Sequence, residues 1–549
     1  MRDQSPHSRS LIDLAAVSLM WPNGRPPDKT VQSAWMQDLN LDGLVQAFRA
    51  DSRYVPFIRQ TLTALLTDPA VIAWRQAVLD DFRRNPALVE RVSAFLPRLA
   101  ELRTNQALFG TKQRHLLLET ADRLSELELY VNMVDGLYEA LQAADLHSEA
   151  LKQLRQNLQR VARSESFEAL RSELPELQRP LQSFASLTVG INLNAQLQPE
   201  SAVLLGINEK RFGEARSFLS RLLGMPAEET EESGLAPLHY VPSDPEQRPL
   251  SALFRDLERL IAQVVQPVAR ALSRYVRISS GPLVSLEKEL AFYVAAVGLM
   301  QRLEARGVPL CPPEIAPTEE RLGVMEGLVN LHLALREGEP LPVSNDVTFD
   351  DEGRIAILTG PNSGGKTTYV QAVGLAHVLF QAGLFIPARR ARLSPVDAIF
   401  THFPALEAQQ GRLAEEAARL RHICLKATRY SLVLLNESLS STTSSEALYL
   451  AQDVLCGLRA IGVRAIYATH LVEVAEHLDV IEKAIEGDSA VYSLVAGLKL
   501  IETADDLKAV PTFEIKRGLP QGRSYAREIA RRHGISLEQI LSARREPHT

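Results

Sequence analysis

The sequence predicts a multidomain α+β protein, with a mainly helical N-terminal region followed by an α/β phosphate-loop domain. Length is the first reason: 549 residues are too many for one core and suggest three or four units. The second is composition. Leu, Ala, Glu, Arg and Gln abound and only 6% of residues are aromatic, which favours helix. The third is a change of pattern near residue 316, from helical spacing to short apolar runs alternating with amphipathic ones.

In chain order, residues 1–30 are polar and rich in Pro, Arg and Ser, and read as a loosely packed arm. A helical core or lever domain is expected over 31–315. Its first helices include an amphipathic run from Val71 to Phe82 behind Asp68-Pro69, and Trp21, Trp35 and Trp74 read as core anchors. Leu124, Leu127, Val131, Val134, Tyr138 and Leu141, then Leu151, Leu154, Leu158 and Val161, fall at heptad spacing. That stripe suits a lever, a short coiled coil or an ordinary bundle helix. Two runs, Ser186–Leu193 and Ala202–Ile207, are separated by a polar loop containing Pro199 and read as a small β insertion near 186–208. The acidic, Pro-rich stretch Glu228–Pro249 reads as a solvated loop, and Val308–Pro317 as a hinge that bounds the domain. An α/β domain is expected over 316–510, and a strand with a helical tail over 511–549.

Composition excludes several classes. A net charge of -7 gives no global attraction to nucleic acid or anionic membrane, so any such contact needs a local patch. Arg389, Arg390 and Arg392 and the pair Arg531 and Arg532 are the basic groups that stand out. Cys311, Cys424 and Cys456 lie far apart and form no C-x-x-C pair, and read as reduced core residues of a cytoplasmic protein. Leu11–Trp21 is apolar but carries Asp13 and no small-residue cleavage site, against a signal peptide. The run Ala291–Met300 is about half a membrane span, so no membrane partner is expected.

The chemistry is concentrated in three strand ends. Gly360–Thr367 (GPNSGGKT) is a complete G-x-x-x-x-G-K-[ST] loop between an apolar strand-like run, Arg354–Thr359, and a helical run, Thr367–Gln381. A triphosphate needs inward-turned backbone N–H groups, which Gly360, Gly364 and Gly365 permit, together with a cation, Lys366, and a hydroxyl, Thr367. Pro361, Asn362, Ser363 and Thr368 complete the expected nucleotide-contacting set. Ser431–Glu437 is an apolar strand ending in Asn436 and Glu437. Such a strand usually delivers one carboxylate to the magnesium shell and another that polarises the attacking water. Here only Glu437 is acidic, and Asn436 offers an uncharged oxygen. A third strand, Arg464–His470, ends at His470, placing it for the γ-phosphate or the attacking water. The hydroxyl-rich Ser438–Ser445 reads as a polar loop whose last serines cap a helix beginning near Glu446.

In this order and spacing, GPNSGGKTT, LLNESLSSTTSSEALYLA and YATH resemble the ATPase domain of the MutS mismatch-repair superfamily, a dimeric branch of the ABC-type ATPases. Val510–Gly518 followed by Gly522–Ala530 is similar to the strand and dimerising tail after that core, and Asp68–Gln76 and Leu253–Pro313 resemble the helical core and lever. The resemblance implies ATP and Mg2+ as cofactors, a homodimer and DNA as partner. It matches Asn362 to the loop residue near the γ-phosphate, Lys366 to the β/γ-phosphate clamp and Thr367 with Asn436 to the metal positions. Glu437 then matches the catalytic carboxylate and His470 the switch histidine. Two positions depart from the pattern: Asn436 replaces an Asp, and Leu413 replaces the Ser expected after Gly411-Arg412 in the segment that reaches the partner's nucleotide. Slow hydrolysis follows. The separate mismatch-reading and connector domains are expected to be missing from this chain, and Phe212-Gly-Glu214 reads as a chance match to a mismatch-reading motif. The competing expectation is a nucleotide-binding regulatory or scaffold protein with weak or lost hydrolysis, acting on a protein partner.

Overall fold

A computed structural model describes residues 18–22, 34–108, 116–182, 186–197, 199–208, 265–275, 281–361, 363–403, 412–439, 442–502 and 507–520, with 535 and 540 singly. The acidic stretch 228–249, Phe212-Gly-Glu214, Arg531, Arg532 and the expected helical tail lie outside them. The chain divides into two compact units: residues 1–16, 90–144 and 153–287, and residues 17–89, 145–152 and 288–549. The helices in order are α1 (Trp35–Asp38), α2 (Leu41–Ala47), α3 (Val55–Thr63), α4 (Pro69–Arg84), α5 (Pro86–Leu108), α6 (Leu116–Ala143), α7 (Glu149–Ala162), α8 (Glu165–Gln182), α9 (Gly281–Ala305), α10 (Leu331–Ala334), α11 (Lys366–Gln381), α12 (Arg412–Lys426), α13 (Ser444–Ile461), α14 (Val472–Glu476) and α15 (Leu478–Ala484).

Among the described residues, the first unit is helical with one hairpin. In α6, Leu124, Leu127, Val131, Val134 and Leu141 are buried, as the heptad spacing implies, and so are Tyr130, Met133 and Leu137. The buried face is therefore wider than a two-in-seven seam, and α6 is a bundle helix rather than half of a coiled coil. It packs on α8 through an edge-to-face pair, Tyr130 and Phe167, 6.0 Å apart. The hairpin joins β1 (Ser186–Leu193) and β2 (Pro199–Asn208) antiparallel. Pro199 opens β2 instead of lying in the loop; with no N–H to donate, proline is tolerated at the first position of an edge strand.

Among the described residues, the second unit holds two sheets. The larger has the order β12-β11-β6-β10-β9-β8, from β6 (Ile355–Thr359), β8 (Ile399–His402), β9 (Leu432–Asn436), β10 (Arg464–Ala468), β11 (Val491–Glu502) and β12 (Leu507–Arg517). Strands β8, β9, β10, β6 and β11 run parallel, and β12 returns antiparallel. Every residue of β6, β9 and β10 is buried, which is why these segments read as unbroken apolar runs. The smaller sheet has the order β3-β7-β4-β5, from β3 (Glu314–Ile315), β4 (Gly323–Leu328), β5 (Asn345–Phe349) and β7 (Arg390–Leu393).

Three sequence expectations change here. The Val308–Pro317 stretch is not a free hinge: Cys311 bridges Ile386 and β3 pairs with β7, so the stretch is tied to the smaller sheet and lies inside the 288–549 segment of the second unit. Nor is all of 1–30 loosely packed. Leu19 and Met20 are buried, and Glu289 accepts from Leu19 N at 2.6 Å and Ser18 Oγ at 2.8 Å. Finally, of the three tryptophans only Trp35 is fully buried, while Trp21 lies under the Arg75 guanidinium at 4.3 Å. Cys311 is buried, whereas Cys424 and Cys456 are only partly so.

Candidate functional site

Parallel strands place their C-terminal ends at one edge of the sheet, where the following loops converge. Strands β6, β9 and β10 are adjacent, so the phosphate-loop motif, the Asn436-Glu437 pair and the stretch before His470 leave the same edge. Strand β6 ends at Thr359 and α11 begins at Lys366, as the strand, loop and helix reading requires. The loop uses backbone that side chains rarely adopt: Gly360 has φ 141° and Gly365 φ 88°, and Ser363 takes φ 66°. At Gly360 the constraint is also steric, because a Cβ would lie 2.7 Å from that of Ala496 on β11.

Lys366 sits in the first turn of α11 with its side chain only 4% exposed. Its Nζ donates to Gly360 O at 3.0 Å and Pro361 O at 3.1 Å, and stands 3.7 Å from Glu437 Oε1. Burial lowers the lysine pKa and the Glu437 carboxylate opposes that shift. Thr367 donates from Oγ1 to Asn436 Oδ1 at 3.2 Å. Glu437 takes φ 49°, uncommon for a non-glycine residue, and its N–H donates to Ala468 O at 2.7 Å, so β10 holds the turn that aims the carboxylate.

Lys366, Thr367, Asn436 and Glu437 are thus brought together. Pro361, Ser363, Gly364, Gly365 and Thr368 line the same cavity of about 490 Å³. Asn362 lies outside the described residues, as does the 404–411 segment before Leu413; Leu413 itself is half-buried on α12. His470 is exposed after β10, and no hydrogen bond or ion pair joins its ring to Lys366 or Glu437. The helix after the hydroxyl-rich loop begins at Ser444, and its cap is Thr443 rather than a serine.

Sequence reasoning missed the apolar part of the cavity lining. Leu333, Leu341, Pro342, Val343 and Phe513 make it up. Phe513 is 47% exposed on β12, an unusual position for a phenylalanine unless something covers it. Only the topology, which folds β12 back beside β11, brings it to the loop. Also missed was the support behind Glu437: His402 Nδ1 meets Ser438 Oγ at 2.7 Å, and Glu416 accepts from Leu439 N at 2.9 Å.

The donors present suit a hard divalent cation. Thr367 and Asn436 offer neutral oxygens next to a carboxylate, a set that binds Mg2+ when phosphate and water oxygens complete the shell. Among the described residues no cluster of three or more His, Cys, Asp or Glu side chains could hold a metal unaided.

Two family models match the chain: the MutS2 N-terminal domain over residues 67–306 and MutS domain V over residues 356–547. The chain is MutS-like. It is 34% identical over 296 residues to a DNA mismatch repair protein MutS from Chlorobium phaeobacteroides, covering 53% of this chain and 30% of that protein. It is 34% identical over 211 residues to an Endonuclease MutS2 from Thermus thermophilus, covering 37% and 26% respectively. A longer match, 27% over 436 residues, to a DNA mismatch repair protein MutS from Exiguobacterium covers 75% of this chain and 49% of that one. The MutS-like chain therefore spans half or less of these relatives' lengths. Among the described residues no helix is long and apolar enough to cross a membrane.

Proposed function

We propose that this MutS-like chain is a cytoplasmic, homodimeric, DNA-binding ATPase with slow turnover, built on an ABC-type phosphate-loop domain. One observation carries the nucleotide part. A buried lysine is held by a glycine loop, 3.7 Å from a strand-end carboxylate, and lines a cavity whose lining is partly apolar. Backbone N–H groups of the loop and the start of α11 receive the phosphates, and Lys366 clamps their charge. Leu341, Val343 and Phe513 receive the base. Glu437 polarises the attacking water, and His470 reaches the γ-phosphate region once nucleotide orders the site. Thr367 and Asn436 would hold Mg2+, which would supply neutralising charge to the phosphate oxygens.

Slow turnover rests on Asn436, whose amide offers its oxygen without the charge of an Asp. The same residue favours the second reading, a nucleotide-responsive scaffold acting on a protein. DNA as partner rests on the relatives, which are named as DNA mismatch repair proteins and endonucleases, and dimerisation rests on the resemblance of the three motifs to a dimeric ATPase family. The deciding experiment measures ADP binding and ATP turnover in the intact protein, across homoduplex, mismatched and branched DNA. Lys366→Ala is expected to abolish nucleotide binding, and Glu437→Gln to retain binding and lose turnover. Absence of turnover with every DNA would establish the scaffold reading; absence of ADP binding would remove both.

A further inference from the structure

A second cavity, of about 410 Å³, is lined by Arg49, Arg302, Arg306 and Arg336, together with His332 and Glu337. Four arginines thus line a cavity whose own lining includes one acidic residue, Glu337. Glu337 pairs with Arg49 at 3.0 Å, and Arg336 has Glu339 at 3.5 Å. Arg302 and Arg306 pair with no carboxylate among the described residues. Arg302 donates to Ala47 O, the last residue of α2, and Arg306 donates to Arg336 O and, at 2.6 Å, to Glu339 O. Carbonyls satisfy donors but cancel no net charge, and each guanidinium has five N–H groups in a fork that suits phosphate. The crowding is felt locally: burial and then the Arg49 charge lower the Arg302 pKa, and burial and Arg336 lower that of His332. An anion in the cavity would relieve this repulsion.

The cavity shares a wall with the phosphate-loop site. On α10, His332 faces the basic cavity and Leu333 the other. From there the chain runs through Arg336 and Glu337, at the basic cavity, to Glu339–Val343, at the phosphate-loop cavity. Arg306 ties that connection down at both Arg336 and Glu339. We propose that the Arg49, Arg302, Arg306 and Arg336 cavity binds a small phosphate-bearing anion, and that its occupancy shifts the 336–343 wall of the phosphate-loop cavity. Recruiting Arg306 and Arg336 to a phosphate competes with the bonds that hold this wall. The coupling to nucleotide, though not the anion binding, rests on the function proposed above, and linkage makes it reciprocal.

The probe is inorganic pyrophosphate, titrated calorimetrically into full-length Lys366→Ala protein so that the phosphate loop does not compete. Binding is expected there, at least ten-fold weaker in Lys366→Ala/Arg302→Gln/Arg306→Gln and largely kept when both arginines become Lys. Hydrogen exchange at 336–343 should change with pyrophosphate in the first protein and not in the Gln variant. The Lys version guards against a loss caused by misfolding, since charge is retained there. A parallel AMP titration distinguishes sources: tighter binding of AMP identifies a nucleotide, and binding of pyrophosphate alone a free phosphate, both in support. No binding to Lys366→Ala, or equal affinity in the Gln variant, overturns the proposal. So does loss of duplex DNA binding in the Gln variant without loss of pyrophosphate, which would make the arginines a contact to polymer backbone. Failure of wild-type protein to bind ADP would refute the nucleotide reading while leaving these titrations decisive.

Discussion

Gly360→Ala tests whether the phosphate loop is shaped by its contact with β11. The residue has φ 141°, a region that costs a residue with a Cβ about 1–3 kcal/mol. The added Cβ would also stand 2.7 Å from Ala496 Cβ and 3.2 Å from Ala496 O, so β11 or the loop must shift. Overpacking of this kind costs about 1–3 kcal/mol. The two terms differ in origin, and Ala496→Gly separates them by removing the methyl group without altering φ. Gly360→Ala is therefore expected to weaken ADP binding by at least about ten-fold, the equivalent of ~1.4 kcal/mol. The double variant should recover about 1–2 kcal/mol relative to the sum of the single effects. The assay is a double-mutant cycle over the four proteins, read by ADP titration and by the urea midpoint. Strict additivity would refute the argument that Ala496 confines the loop.

Three further outcomes are expected. Asn436→Asp should raise turnover and tighten its magnesium dependence, checked by steady-state rates across a Mg2+ series; an unchanged rate would show that the missing charge is not limiting. Because burial lowers the Lys366 pKa and Glu437 raises it, ADP affinity should fall as pH rises through a value below the ordinary 10.5. Glu437→Gln should move that fall to lower pH, and an unmoved midpoint would show that the carboxylate does not act on the lysine. Asp81, fully buried, accepts from His147 N at 2.9 Å, Ser148 N at 2.8 Å and Ser148 Oγ at 2.6 Å, organising the start of α7. Asp81→Ala leaves these donors unmet and should destabilise by about 3 kcal/mol, measured by urea denaturation.

Strands β6, β9 and β10 were legible because central parallel strands are buried on both faces and so lose the alternation that hides other strands. Their order along the chain also anticipated the meeting of Lys366, Thr367, Asn436 and Glu437. The apolar wall was not legible. Phe513 lies far along the chain from Gly365, yet an added Cβ on that glycine would be 3.3 Å from the Phe513 ring, and no local pattern encodes such a neighbour. The turn at Glu437 was hidden for another reason, since its positive φ is imposed by the Ala468 carbonyl on the next strand. The Pro-rich 308–317 stretch misled because proline marks irregular backbone without saying whether that backbone is free or pinned. Here one bridge and a two-residue strand pin it.

The position of β6 has a consequence for how the protein is made. Its two neighbours in the sheet are β10 and β11, and Thr359 pairs with Val495, more than a hundred residues later. No segment translated in the meantime can occupy either edge of β6 in the native order. At about 5–20 residues per second, the strand that carries the phosphate loop waits on the order of ten seconds for its partners. During that interval an apolar strand with two open edges is a template for pairing between nascent chains. A ribosome stalled between β9 and β10 should therefore release an aggregation-prone product that has the complete loop sequence but lacks both flanking strands. The central placement that buries β6 in the finished sheet is thus also what makes the unfinished chain vulnerable.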